Sequence, residues 1–270
     1  EFSARAFLTN GDNALYFKHG FAIYPLAILA TGADLRELPV TENYHQDLTS
    51  VINFVDKKSK VVFIASPNNP TGSANTFSEI EAMLNDLPND LIVFLDQAYF
   101  EYIEDEQYKL PFDLIDKYQN LIISRSFSKA HGLAAYRLGY SISSQKIADY
   151  LNRVRQPFNV SSFALEAGIA SLNDKEHLRK SVDLNQREKN KLMQFFKKEN
   201  IEYLPTQGNF FSFSLDTDSD ETFEAFLNEG IILRSLKSYN MDRFVRVSIG
   251  QEFENDAFIE AAKKIKGSRN

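Results

Sequence analysis

Three short apolar runs rich in β-branched residues begin thirty positions apart: KVVFIAS at 60–66, DLIVFLD at 90–96 and NLIISRS at 120–126. That interval is about the length of a strand plus the crossover helix that returns the chain to a parallel neighbour. Between the first two runs, TFSEIEAMLNDL sets Thr76 three residues ahead of Glu79, the spacing of a capping box. Ile80, Met83, Leu84 and Leu87 then follow at helical period. The pattern predicts a crossover helix and parallel strands. Because the strands are continuously apolar instead of alternating, both faces of the sheet must be covered, which places the chain in the α/β class with a mostly parallel sheet flanked by helices.

The texture changes after RVRQPFNVSS (153–162). A small-residue helix over Ser162 to Leu172 leads into the charged helical stretch KEHLRKSVDLNQREKNKLMQFFKKEN, then the strand-like pieces GNFFSFSL, GIILRSL and FVRVSIG, and a last helix, DAFIEAAKKI. This predicts a large unit over 1–171 and a smaller α+β unit over 172–270. A chain of 270 residues that is 43% hydrophobic has enough apolar side chain for such cores.

Charge and cysteine content narrow the function classes. Thirty basic against thirty-seven acidic residues give a net charge of −7, which disfavours nucleic acid or an anionic membrane as the main partner, so an anion site has to be local. Without cysteine there is no disulfide framework, thiolate nucleophile or cysteine metal site, a composition compatible with the cytoplasm. His19, His45, His131 and His177 are scattered, and no metal is expected. No apolar run reaches the ~18 residues of a membrane span. The opening EFSARAFLTNGDN reads as the end of an amphipathic helix, not as a signal peptide, so the expectation is a sequence that begins part-way into its protein.

In an open α/β sheet the ligand lies at the carboxyl ends of the strands. Here the first run exits into SPNNPTG, the second into LDQAY and the third into SRSFSKAHG. Each exit alone reads equally well as a turn or a cap. Together they gather Asn69, Asp96, Tyr99, Ser126, Ser128 and Lys129, and three polar exits in a row point to one shared site. Ser126 and Lys129 have the S-x-x-K spacing of a serine acyl-enzyme, but S-D-N and K-T-G partners are absent. The stronger reading is a Schiff-base lysine for pyridoxal phosphate, with hydroxyls and an arginine at the phosphate and an acid at the pyridine nitrogen.

SPNNPTG, LDQAYFEY, SFSKAHGLAAYRLGY, RQPFNVSS and FVRVSIG, in that order, resemble the fold type I pyridoxal-phosphate-dependent aminotransferases, most closely the histidinol-phosphate branch. The resemblance runs from RAFLTNGD to the closing helix. It implies the fold type I architecture, a homodimer, pyridoxal 5'-phosphate as cofactor, and an amino donor and a 2-oxo acid as partners. The implied reaction is transamination between histidinol phosphate and 2-oxoglutarate in histidine biosynthesis. The alternatives are an aromatic amino-acid aminotransferase, or a non-catalytic remnant acting as a binding protein.

By motif, the resemblance makes Lys129 the catalytic lysine and proton carrier, and pairs Asp96 with the pyridine nitrogen. Asn69 and Tyr99 would bond the phenolic oxygen, and Ser126, Ser128 and Arg137 would hold the phosphate. Phe21 would stack on the ring, Arg246 would take a substrate carboxylate, and Arg234 would be a second cation. An arginine among Val and Ile in FVRVSIG independently requires an anionic partner. The sequence departs from the family in three ways. The N-terminal arm and a Gly-x-x-Ser-Asp-Glu type phosphate loop do not precede RAFLTNGD, Gln97 replaces the usual Glu, and His131, expected on an exposed loop, replaces Tyr or Phe.

Overall fold

A computed structural model describes residues 1–109 and 112–267. Its first part runs α1 (Phe2–Phe7), β1 (Asn13–Phe17), α2 (Ile23–Leu29), β2 (Asp34–Leu38), β3 (Ser59–Ala65), α3 (Phe77–Asp86), β4 (Ile92–Asp96), α4 (Leu114–Lys117), β5 (Leu121–Ser126) and β6 (Gly139–Ser143). The six strands form one sheet in the order β2-β1-β3-β4-β5-β6, parallel from β2 to β5 and antiparallel at β6. The three runs read from the sequence are β3, β4 and β5. The predicted capping box is present: the Thr76 hydroxyl accepts from Glu79 N–H at 3.3 Å, and Glu79 Oε2 accepts from Thr76 N–H at 2.7 Å.

Both faces of the sheet are covered, because successive residues of a strand point to opposite sides. Val62 and Ile64 of β3 face a core completed by Ile80, Met83 and Leu84 of α3. Val61, Phe63 and Ala65 face Ala4 of α1 and Tyr24, Ala27 and Ile28 of α2. The chain thus leaves β1 and its neighbour β3 toward opposite faces, through α2 and α3. Where two adjacent strands send their crossovers to opposite faces, a crevice opens at their carboxyl ends.

The remaining elements are α5 (Gln145–Val154), α6 (Ser162–Asn173), α7 (Lys175–Lys198), β7 (Glu202–Tyr203), β8 (Phe210–Ser214), α8 (Ser219–Asn228), β9 (Arg234–Ser235), β10 (Val245–Ser248) and α9 (Glu252–Gly267). Strands β7-β8-β10-β9 form a second, antiparallel sheet. Its core is aromatic: Phe196 of α7, Phe211 and Phe213 of β8, Phe226 of α8 and Phe258 of α9 are each at most 2% exposed. GIILRSL yields only a two-residue strand, because Ile232 turns outward and is 81% exposed.

Candidate active site

Four strand exits meet at the crevice. Phe21 comes from the turn after β1, Tyr24 from the first turn of α2, and Pro67 and Asn69 from the loop after β3. Asp96, Ala98 and Tyr99 come from the end of β4, and Lys129 from the loop after β5. With Ala65 they line one cavity. The loop after β3 is pinned from beyond. Gly72 holds φ +78° and sits so close to Thr206 that a Cβ would lie 2.4 Å from its hydroxyl oxygen, and Gln207 N–H donates to the Gly72 carbonyl at 2.9 Å. A left-handed backbone and a close approach at one position are the conditions that favour glycine.

Asp96 lies at the base of the cavity. Burial raises its pKa, while hydrogen bonds from Tyr24, the Ala98 N–H and Ser124, together with the Lys129 charge, oppose the shift. Tyr24 Oη donates to Oδ2 at 2.9 Å and Ala98 N–H donates to Oδ1 at 3.0 Å. The Lys129 ammonium stands 5.0 Å from the centre of the Tyr99 ring. Burial lowers the Lys129 pKa, the positive charges of Arg246 and Arg137 lower it further, and Asp96 works the other way. A desolvated lysine facing like charges holds more of the neutral amine that can act as nucleophile or base. The Tyr99 hydroxyl is pushed up to about 12, mainly by burial. It is therefore a protonated donor at neutral pH.

The second sheet supplies the arginine side. In β10, Val245 and Val247 point into the phenylalanine core and Arg246 points the other way. Its guanidinium donates to Asn69 Oδ1, and the Ser212 hydroxyl, from the residue paired with Arg246 across the sheet, donates to the Pro70 carbonyl. The anionic partner expected for an arginine in this strand is not what it meets: a neutral amide takes its place. Arg234 is paired with Arg246 on β9. Directly opposed residues of an antiparallel pair share a face, and like charges there repel unless an anion lies between them.

Ser126 and Ser128 are joined, Ser128 N–H donating to Ser126 Oγ at 3.0 Å. Arg137 is exposed, with a left-handed φ of 54°, and bonds the Ala134 carbonyl at 2.8 Å. These three border the Lys129 turn but do not line the cavity itself. Two residues differ from expectation or were not foreseen. His131 is buried, not exposed: its Nδ1 lies 2.8 Å from Ser171 Oγ, its ring centre is 4.9 Å from that of Phe127, and Nε2 is 3.9 Å from Glu101. The α6 helix packs over this turn and covers it. Tyr24 was not a sequence candidate, since a tyrosine in the apolar helix IYPLAIL reads as core. The hint available was its place one helical turn after Phe21. Gln97, fully buried, accepts from Arg125 Nε at 3.0 Å.

A family model described as aminotransferase class I and II matches residues 1–261. Histidinol-phosphate aminotransferase 2 of Haemophilus influenzae is 42% identical over 265 residues, 98% of this chain and 72% of the relative. Histidinol-phosphate aminotransferase 1 of Idiomarina loihiensis is 39% identical over 267 residues, 99% of this chain and 72% of the relative. Among solved structures, the histidinol-phosphate aminotransferase of Sinorhizobium meliloti in complex with pyridoxal-5'-phosphate superposes with a TM-score of 0.91 at 24% identity, covering 100% of this chain and 74% of that one. The aspartate aminotransferase of Thermotoga maritima gives 0.89 at 22% identity, with 98% and 73% covered, so the same fold carries more than one substrate.

Proposed function

Given that the chain belongs to the class I and II aminotransferases, we propose that its cavity binds pyridoxal phosphate and transfers an amino group from histidinol phosphate to 2-oxoglutarate. The observation that carries this reading is the meeting of Lys129 and Asp96 at one cavity, with Arg246 bonded to Asn69 of its lining. The donor set suits the cofactor: a partly buried carboxylate for the pyridine nitrogen, an amine whose pKa burial lowers, the Tyr99 hydroxyl and Asn69 amide for the phenolic oxygen, and Ser126, Ser128 and Arg137 for the phosphate. Phe21 borders the place of the ring. When bound, the cofactor supplies an aldehyde that reacts with amines and a protonated ring that accepts electron density from a deprotonated α-carbon.

The protein's own groups do the rest. Asp96 stabilises positive charge at the ring nitrogen through a charge-assisted hydrogen bond. Lys129 would take a proton from the substrate α-carbon onto Nζ and give it back there, its lowered pKa suiting both directions. Arg246 offers a planar fork to a carboxylate, exchanging its Asn69 partner for the substrate anion. Arg234 supplies a second cation for the phosphate of histidinol phosphate or the distal carboxylate of glutamate.

With pyridoxal phosphate and 2-oxoglutarate, the protein should convert L-histidinol phosphate and release glutamate in a coupled assay. Arg234→Ala should lower kcat/KM for the phosphorylated amine by about tenfold or more, since a charge-assisted contact is lost, and change it little for phenylalanine. Equal losses for both would remove the phosphate from Arg234.

We also propose that two copies associate. Phe158 and Phe163 are 98% and 80% exposed, and Leu165, Ile169 and Leu172 add a further run of exposed apolar side chains on α6. This helix is seated through its small residue instead: Gly168 packs so tightly on Leu138 and Phe127 that a Cβ there would lie 2.4 Å from Leu138 Cδ2. Large side chains presented outward in a continuous stretch mark an association surface. Sedimentation should give twice the chain mass of 30.9 kDa. Phe163→Glu with Leu172→Glu should return the protein to one chain, and a wild-type monomer at micromolar concentration would refute the assembly. A cytoplasmic setting fits a cysteine-free biosynthetic enzyme; among the described residues no helix is long and apolar enough to cross a membrane.

A further inference from the structure

The chemistry above depends on Asp96, and Asp96 is held by a side chain to which that chemistry gives no role. Tyr24 is 4% exposed and donates to Asp96 Oδ2 at 2.9 Å. With Ala98 N–H on Oδ1, two of the roughly four lone-pair sites of the carboxylate are filled. The others remain for a ligand in the cavity.

The ring of Tyr24 is itself fixed. It stacks on Phe63 at 5.3 Å between centroids and 14° between planes, and meets Phe21 edge-on at 6.0 Å and 86°. Tyr24 N–H donates to the Phe21 carbonyl at 3.0 Å, so one turn of chain sets both the aromatic that borders the cavity and the donor that grips the carboxylate. Packing alone would be served by phenylalanine; the hydroxyl is what the position adds.

We propose that Tyr24 is a positioning residue, whose hydroxyl orients the Asp96 carboxylate toward the cavity and supplies a hydrogen bond that its buried charge needs to pair with the cofactor ring. This rests on the reading of the cavity as a pyridoxal-phosphate site. The electrostatics agree with it. Burial pushes Asp96 toward its neutral form and the Tyr24 bond opposes that. Burial, with Asp96 beside it, holds the Tyr24 hydroxyl well above its usual range, so it stays a donor throughout the working pH range. The other titratable groups acting on Asp96 from within the cavity are Lys129 and Tyr99, from the loop after β5 and the end of β4.

The test is equilibrium binding of pyridoxal phosphate, followed by absorbance from acid to neutral pH. Four proteins are compared: wild type, Tyr24→Phe, Asp96→Asn and the double variant. Phenylalanine keeps the ring and its stack on Phe63. Tyr24→Phe should bind about tenfold more weakly, the size of a lost hydrogen bond to a charged group. Its acid-side loss of binding should also move to higher pH, because without the Tyr24 donor the carboxylate neutralises sooner. In the Asp96→Asn background the same change should have much less effect. Unchanged affinity and pH profile in Tyr24→Phe, or an equal loss in both backgrounds, would overturn the proposal while leaving the cofactor reading intact. Absence of binding by the wild type would overturn the cofactor reading and this proposal with it.

Discussion

Lys129→Ala should reduce transamination by about 10⁴-fold, the upper range for loss of a positioned acid–base group and in keeping with the loss of a covalent attachment point. Among the described residues no other lysine lines the cavity, and no other lining side chain combines nucleophile with base. Its surroundings tune it for both tasks: burial, Arg246 and Arg137 each favour the neutral amine, and Asp96 limits the shift. Lys129→Arg should be nearly as inactive despite keeping the charge, because a guanidinium does not lose its proton in proteins and presents a fork instead of a single attacking nitrogen. Cofactor should still bind both variants through Asp96, Ser126, Ser128 and Arg137, so steady-state rates at saturating cofactor isolate the chemical defect. Losses below tenfold in both variants would place the catalytic amine elsewhere.

Asp96→Asn should lower turnover by about 10²- to 10³-fold, the range seen when a preorganised electrostatic contact to developing charge is removed. Asparagine preserves the volume at the end of β4 but offers no negative charge to a protonated ring nitrogen. The acid side of the pH profile carries the sign. Asp96 acts as its anion, and burial raises its pKa, so wild-type activity should fall as pH drops through a value higher than that of an exposed aspartate. The variant, having no group to titrate there, should lose that limb. Rates measured at saturating cofactor across the acid range decide it, and an unchanged acid limb in Asp96→Asn would assign that ionisation to another group.

The central parallel strands were legible because each is a continuous apolar run bounded by turn residues, and α3 because its capping box sits directly before a helical repeat. The flanking strands were harder to read. β2, DLREL, carries Asp34, Arg36 and Glu37 on a sheet edge where solvent takes up the charges, so its pairing with β1 leaves little pattern. Asn69, Asp96, Tyr99 and Lys129 were visible as polar groups at strand exits, Phe21 only through the family resemblance, and the structure brings all five to one cavity. Tyr24 escaped because its hydroxyl partner lies 72 residues away, and nothing local separates it from a core tyrosine. His131 was misplaced for a related reason: its burial comes from Ser171, forty positions on, in a helix whose packing over the lysine turn no local pattern announces.

Strand β10 carries two unrelated duties by parity, Val245 and Val247 building the phenylalanine core and Arg246, on the other face, reaching Asn69 of the cavity lining. The length of the chain between Asn240, with its left-handed φ of 57°, and Arg246 is therefore a reading frame as much as a spacer. Gain or loss of a single residue there would carry the guanidinium into the space beside Phe211 and Phe213 and bring a valine to the cavity, whereas a change of two would restore both faces. An odd change would need a bulge to absorb it, since the same shift that moved Arg246 would also turn Val245 and Val247 out of the hydrophobic core.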